Sequence, residues 1–213
     1  MTIPHVLASA DLGTGDDAVD APTLIVLLHG FGSNEADLAG IGQVLDVLPW
    51  VSLRGPLTLG PGEYAWFPIS TPGSPDPAPV AVATDAIWGW IDEHVSPETR
   101  IVPIGFSQGG LMATQLLRTR PDRVAATVIL GGFVQGAEQP GDQQLAESKP
   151  AVFWGRGAED RVIAAHAIER TQAWLPAHAT LTATLYPGLA HSVNAAELAD
   201  VRTFLQTIGV AAE

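Results

Sequence analysis

The chain contains no cysteine, which excludes disulfide bridges, thiolate metal sites and a cysteine nucleophile. No apolar run reaches the ~18 residues that a membrane-spanning helix needs. Basic residues are scarce: 10 Lys and Arg stand against 23 Asp and Glu, a net charge of -13. A surface of that sign repels phosphate backbones and anionic lipid, so neither nucleic-acid binding nor stable membrane insertion is expected. The stretch Met1–Asp17 has no basic start and no apolar h-region, so nothing in it reads as a secretory signal; a soluble cytoplasmic protein is the expectation. There is no H-E-x-x-H and no close histidine pair to mark a metal hydrolase, and no G-x-x-x-x-G-K-[ST] to mark a phosphate-binding loop. What is abundant is apolar: hydrophobic residues make up 46% of the chain and charged ones only 15%, which excludes disorder. A chain of 213 residues is long enough for one well-buried core and short for two ordinary domains, so a single domain over residues 1–213 is expected.

Strand and helix patterns alternate along the chain. Thr23–Gly30 (TLIVLLHG) is a continuous apolar run closed by glycine, the pattern of a strand buried on both faces. Asn34 is a candidate N-cap for a helix with Leu38, Ile41, Leu45 and Leu48 at helical spacing. Trp50–Leu53 is a short strand. Residues 55–79 are so dense in Gly and Pro that they read only as loop, and loops that long inside compact domains are usually functional. A helix over 80–95 follows, with Ile87, Trp88, Ile91 and Val95 on one face. Strands are then expected at Arg100–Phe106, Arg123–Gly132, Lys149–Gly155 and Thr180–Gly188, and helices at 107–120, Arg161–His178 and Glu197–Gly209. His5–Ala10 adds an antiparallel edge strand. The fold class is therefore α/β: a mostly parallel sheet with helices on both faces.

The segment RIVPIGFSQGGLMATQLL places Ser107 between Gly105 and Gly109, where an apolar strand gives way to a helix. This is G-x-S-x-G at a strand-to-helix corner. The strained turn lifts the serine side chain clear of the sheet, and the flanking glycines relieve the crowding that a Cβ would cause. The helix start aims its free N–H groups at the same place. A hydroxyl becomes a useful nucleophile only with a base, itself oriented by a carboxylate, and enzymes with this corner take the chain order serine, acid, histidine. Three histidines follow Ser107. His166 falls within a helical run and His178 precedes the last strand; His191, directly after that strand, is the candidate base. Glu159 and Asp160 follow the strand ending in AVFWG, and Asp160, immediately before the expected helix, is the better acid. Donors for a tetrahedral oxyanion are the backbone N–H of Gln108 and, from the loop LLHGFGS, that of Phe31.

Three segments, LLHGFGSNEADL, IGFSQGG and GRGAEDRVI with YPGLAHSV, together resemble the carboxylesterase/acyl-protein thioesterase (lysophospholipase-like) family of small α/β-hydrolases. The likeness runs from about Thr23 to about Leu205. It implies a three-layer α/β-hydrolase fold with Ser107, Asp160 and His191 as catalytic triad, and Phe31 and Gln108 main chain as oxyanion hole. It also implies no cofactor, and often a homodimer. Relatives usually carry an aromatic-plus-acid motif in the long loop. Here the loop reads EYAWFPIS, with no acid directly after the aromatics, so Trp66 and Phe67 either wall an acyl pocket or anchor the loop on the core. The segment FVQGAEQPGDQQLAES is too short and polar for a helical cap domain, and an open cleft is expected. The expected activity is hydrolysis of carboxylic esters of short to medium acyl chain. An acyl-protein thioesterase or lysophospholipase is the neighbouring alternative, and a non-catalytic binding protein on the same scaffold the alternative of another class.

Overall fold

A computed structural model describes residues 1–9 and 19–210. Along the chain lie β1 (Val6–Ala8), β2 (Thr23–Leu28), α1 (Glu35–Leu45), β3 (Trp50–Leu53), β4 (Leu57–Gly60), β5 (Glu63–Ala65), α2 (Pro77–His94), β6 (Arg100–Phe106), α3 (Gln108–Thr119), β7 (Thr127–Leu130), α4 (Asp142–Ser148), β8 (Ala151–Gly157), α5 (Ala165–His178), β9 (Thr180–Tyr186) and α6 (Ala195–Thr207). Seven strands form one sheet in the order β1-β3-β2-β6-β7-β8-β9. All its pairs are parallel except β1 against β3, where Leu7 stands opposite Ser52. The last residue of the expected edge strand, Ala10, lies outside the described residues.

The sheet divides the apolar side chains by the period of a strand. From β2, Leu24, Val26 and Leu28 enter one core layer, which they share with Val80 and Ile87 of α2, Leu111 and Leu116 of α3, Leu145 of α4 and Leu175 of α5. Ile25 and Leu27 enter the other, with Leu38 and Leu45 of α1 and Val201, Phe204 and Leu205 of α6. This is a three-layer α/β architecture without a large cap: the chain between β7 and β8 holds only the seven-residue α4.

Three expectations need correction. Residues 55–79 are not loop throughout. They contain the antiparallel hairpin β4–β5, which turns at Pro61-Gly62 with Gly62 at φ 76° and carries a bulge between Thr58 and Gly60, and the first turn of α2, capped where the Asp76 side chain accepts from Ala78 N–H at 3.0 Å. The strand expected over Arg123–Gly132 is shorter, because Pro121–Arg123 forms a 3-10 turn and the regular ladder starts only at Thr127. Helix α5 starts at Ala165 rather than Arg161, because Asp160 Oδ1 accepts from the N–H groups of Val162 (2.8 Å) and Ile163 (3.2 Å) and closes a turn ahead of the helix.

Candidate active site

Ser107 sits between β6 and α3 with φ 54° and ψ -114°. A positive φ is costly for a residue with a Cβ and persists only where the surroundings over-determine it. Here they do. Ser107 N–H donates to Leu130 O of β7 at 2.9 Å. A Cβ on Gly105 would lie 2.0 Å from Gly109 O, and one on Gly109 would lie 1.9 Å from Leu28 O, so helix and strand approach at a separation that only glycine permits. Although it precedes α3, the Ser107 side chain caps nothing. Its hydroxyl instead lies 2.8 Å from Nε2 of His191.

His191 stands in the loop between β9 and α6, and its Nδ1 lies 2.7 Å from Asp160 Oδ2. An ionised carboxylate can only accept, so Nδ1 carries the proton and Nε2 is left to accept from the serine hydroxyl. The ring is held from its other sides as well. Phe106 packs on it with centroids 4.9 Å apart, and Gly131 faces its Cε1 edge, close enough that a Cβ there would stand in van der Waals contact at 3.5 Å. The Asp160 side chain is 2% exposed; Oδ1 serves the turn to α5 and Oδ2 serves His191, so the buried carboxylate is fully satisfied. The other candidates lie elsewhere. Glu159 is exposed, His166 bonds Ser74 at 3.1 Å, and His178 stacks on Trp174 with centroids 4.1 Å apart.

Phe31 lies in the turn after β2, and Gln108 is the first residue of α3. Among the described residues, neither backbone N–H has a hydrogen-bond acceptor. The hairpin β4–β5 clips onto this region: Gly32 N–H donates to Tyr64 O at 2.9 Å and Tyr64 N–H to Ser33 O at 2.8 Å. The chain just beyond β5 is tied to Gln108 itself. Its side-chain Oε1 accepts from Trp66 N–H at 2.8 Å and its Nε2 donates to Phe67 O at 2.7 Å. His29, fully buried under the turn, accepts from Gly55 N–H at Nε2 (2.9 Å), and its carbonyl accepts from the Trp66 indole (2.8 Å). Burial pushes this imidazole below its ordinary pKa, against the opposing pull of the Gly30 carbonyl. Nearby, the Arg54 guanidinium grips the largely buried Glu35 carboxylate with two donors; burial opposes its ionisation, and Arg54 prevails and holds its pKa below the usual range.

A cleft of about 210 Å³ opens beside Ser107, lined mainly by apolar groups of Phe31, Phe67, Ile69, Phe133, Val162 and Ile163. This corrects the pairing of Trp66 with Phe67 as substrate contacts. Phe67 lines the cleft, whereas Trp66 is 1% exposed and anchored to His29. Neither the Gln108 side chain nor His29 was singled out from the sequence. Their partners lie tens of positions away, and the only local hint was a buried polar residue within an otherwise apolar corner. Among the described residues, no group of three or more His, Asp or Glu is arranged to hold a metal ion, and no helix is long and apolar enough to cross a membrane.

The sequence profile of the phospholipase/carboxylesterase family matches residues 15–209. Carboxylesterase SOBER1 of Arabidopsis thaliana is 26% identical over 87% of this chain and 90% of its own length. Acyl-protein thioesterase 1 of Mycosarcoma maydis is 28% identical over 86% and 90%. The solved structure of a Bacillus cereus carboxylesterase superposes with a TM-score of 0.76 over 95% of this chain and 93% of that one, at 21% identity, a likeness of fold.

Proposed function

The chain belongs to the phospholipase/carboxylesterase family, and from that premise we propose that it hydrolyses carboxylic esters of short to medium acyl chain through an acyl-enzyme on Ser107. The single observation that carries this reading is the hydrogen-bonded relay from Ser107 Oγ to His191 Nε2 (2.8 Å) and from His191 Nδ1 to Asp160 (2.7 Å). In the first half-reaction, the serine oxygen attacks the ester carbonyl while Nε2 takes its proton. Asp160 fixes the imidazole tautomer and stabilises the imidazolium. The oxygen of the tetrahedral intermediate takes the free N–H groups of Phe31 and Gln108. Nε2 then hands its proton to the departing alcohol. In the second half-reaction, water loses a proton to His191, attacks the acyl-serine carbonyl, and the serine recovers its hydrogen as the acid leaves.

The apolar cleft beside Ser107 fits the acyl group. At roughly the 30 Å³ of a water-sized group, a volume of about 210 Å³ admits a chain of medium length. A longer chain would run out over Ile69 and Val162, which are 50% and 62% exposed. A binder needs no base and no orienting acid, and the relay supports catalysis over that alternative.

Labelling with a fluorophosphonate should modify one residue, Ser107, and Ser107→Ala should lower kcat for p-nitrophenyl butyrate by about 10⁴–10⁶. Hydrolysis by Ser107→Ala within tenfold of the unaltered protein would refute the proposal. Rates over p-nitrophenyl esters of increasing length, beside a palmitoyl-cysteine peptide, would separate ester from thioester preference.

A further inference from the structure

Two separate stretches of irregular chain line the cleft: residues 69–75 and the segment after β7 that carries Phe133. Neither belongs to a helix or a strand, so neither is positioned by a backbone ladder. One side chain joins them. Arg170 of α5 donates from Nε to Val134 O and from Nη2 to Gly73 O, both at 2.7 Å. Its guanidinium carbon also stands 6.0 Å from the centre of the Phe133 ring, within cation–π range. The stem packs against the chain just beyond, where a Cβ on Gly136 would lie 3.6 Å from Arg170 Cδ.

Residues 69–75 are pressed onto α5 at further points. His166 stands four residues before Arg170, on the same helix face, and meets Ser74 Oγ at 3.1 Å. Gly73 has φ 73°, and a Cβ there would lie 2.9 Å from both Ala164 Cβ and His166 Nε2. Arg170 makes no ion pair with a carboxylate among the described residues; its donors are directed at these two carbonyls. A planar fork of donors reaches two carbonyls in different directions, which the single ammonium of lysine cannot do with the same geometry.

We propose that Arg170 is a positioning residue that sets the width of the acyl cleft, tying the Gly73 wall to the Phe133–Val134 wall and so determining how well the site distinguishes a longer acyl chain from an acetyl group. The proposal rests on the acyl-ester reading above. An acetyl group ends close to Ser107, whereas an octanoyl chain must lie against residues 69–75 and Phe133. The grip on the longer chain is therefore the quantity that Arg170 controls.

The test is kcat and KM for p-nitrophenyl acetate and p-nitrophenyl octanoate in the unaltered protein, Arg170→Lys and Arg170→Met, with thermal midpoints measured alongside. The ratio of kcat/KM for octanoate over acetate should fall about tenfold in Arg170→Lys, the effect of losing one of the two charged hydrogen bonds, and at least as much in Arg170→Met, which loses both. The loss should appear chiefly in KM for octanoate, with kcat on acetate as the internal measure of the serine relay. A ratio within twofold of the unaltered protein in folded variants overturns the proposal and leaves the esterase reading intact. A protein without esterase activity and without labelling at Ser107 overturns that reading instead. Should both Arg170 variants fail to fold, Ser74→Ala removes the neighbouring tether at an exposed position. A smaller fall in the same ratio is then expected, and an unchanged ratio counts against the proposal.

Discussion

Glu197, in the first turn of α6, is 1% exposed, and neither carboxyl oxygen has a hydrogen-bond partner among the described residues. It fills the space that Gly155 leaves on β8, where a Cβ would lie 2.2 Å from its Oε1. Burial pushes this carboxyl up from 4.5 to about 7; the backbone at Asn194 opposes the shift and the nearby Asp200 carboxylate adds to it. Tyr186, whose hydroxyl donates to Asp200 at 2.7 Å, completes the surroundings. In the unfolded chain the acid ionises near 4.5, whereas the folded protein holds its proton to about 7. Between those values the folded state binds more protons, so this group makes stability fall as pH rises. The full effect is about 3 kcal/mol, at about 1.4 kcal/mol for each tenfold change. Glu197→Gln fixes a neutral side chain of the same shape and removes the dependence. Urea unfolding of both proteins at pH 5, 6, 7 and 8 should show the variant gaining about 2–3 kcal/mol relative to the unaltered protein across that range. Contributions of distant groups occur in both proteins and largely cancel. A difference that stays constant within about 0.5 kcal/mol from pH 5 to 8 would show that Glu197 is not a neutral buried acid.

Asp160→Asn should lower kcat by about 10⁴ with little change in thermal midpoint, because an amide that donates to Nδ1 leaves the wrong tautomer facing Ser107; a loss below tenfold would contradict the assigned role. Arg118 is buried and donates to Asp142, Gln135 O and Ala137 O, so Arg118→Met should cost about 3–5 kcal/mol in urea unfolding by leaving those acceptors unpaired. The pKa of His29 is depressed, so the folded state binds fewer protons than the unfolded one below 6.5. The stability it contributes is present above 6.5 and is lost as pH falls through the lower folded value; an NMR titration should place the midpoint of its ring below 6.5, and a midpoint at or above 6.5 would contradict this. Gln108→Ala keeps the backbone N–H but leaves Trp66 N–H and Phe67 O without partners, so stability should fall by about 1–3 kcal/mol per group, with KM rising for longer esters.

The serine corner was legible because its constraint is local. Gly105, Ser107 and Gly109 lie within five residues, and the contacts that force glycine there are with the strand and helix flanking the turn and with the neighbouring β2. His191 and Asp160 were legible through chain order, since each follows a strand whose end lies at the same rim of the sheet. The hairpin β4–β5 was missed because it lies inside a longer stretch, residues 55–79, whose Gly and Pro read together as loop. The signal was present in Pro61-Gly62 between two short runs, a turn dipeptide that closes a hairpin as readily as it breaks a chain. The start of α5 was misplaced because the Asp160 carboxylate, taken to adjoin the helix, is divided between a turn and His191, and the helix begins later. The roles of Arg170 and His29 were not legible, because their partners come from remote segments with no spacing to reveal them, and that of Glu197 was not, because its burial against Gly155 of β8 exists only once α6 packs on the sheet.

The hairpin's position bears on how the site works as a unit. Gln108 supplies a backbone N–H beside Ser107, and its side-chain amide spends both ends on Trp66 and Phe67. Phe67 in turn lines the cleft, and Trp66 bonds the carbonyl of His29, two residues before Phe31. The two N–H groups assigned to the oxyanion and a wall of the acyl cleft are therefore fastened to one another through a single buried amide and a single indole. An acyl chain that displaced Phe67 would strain the Gln108 amide, and through it the start of α3 where Ser107 holds its unfavourable φ of 54°. On the proposed reading, recognition of the acyl group at Phe67 and stabilisation of the developing charge are thus mechanically coupled, so altering the Phe67 wall should change kcat as well as KM, whereas the Gly73 and Phe133 walls joined by Arg170 lack that link to Gln108.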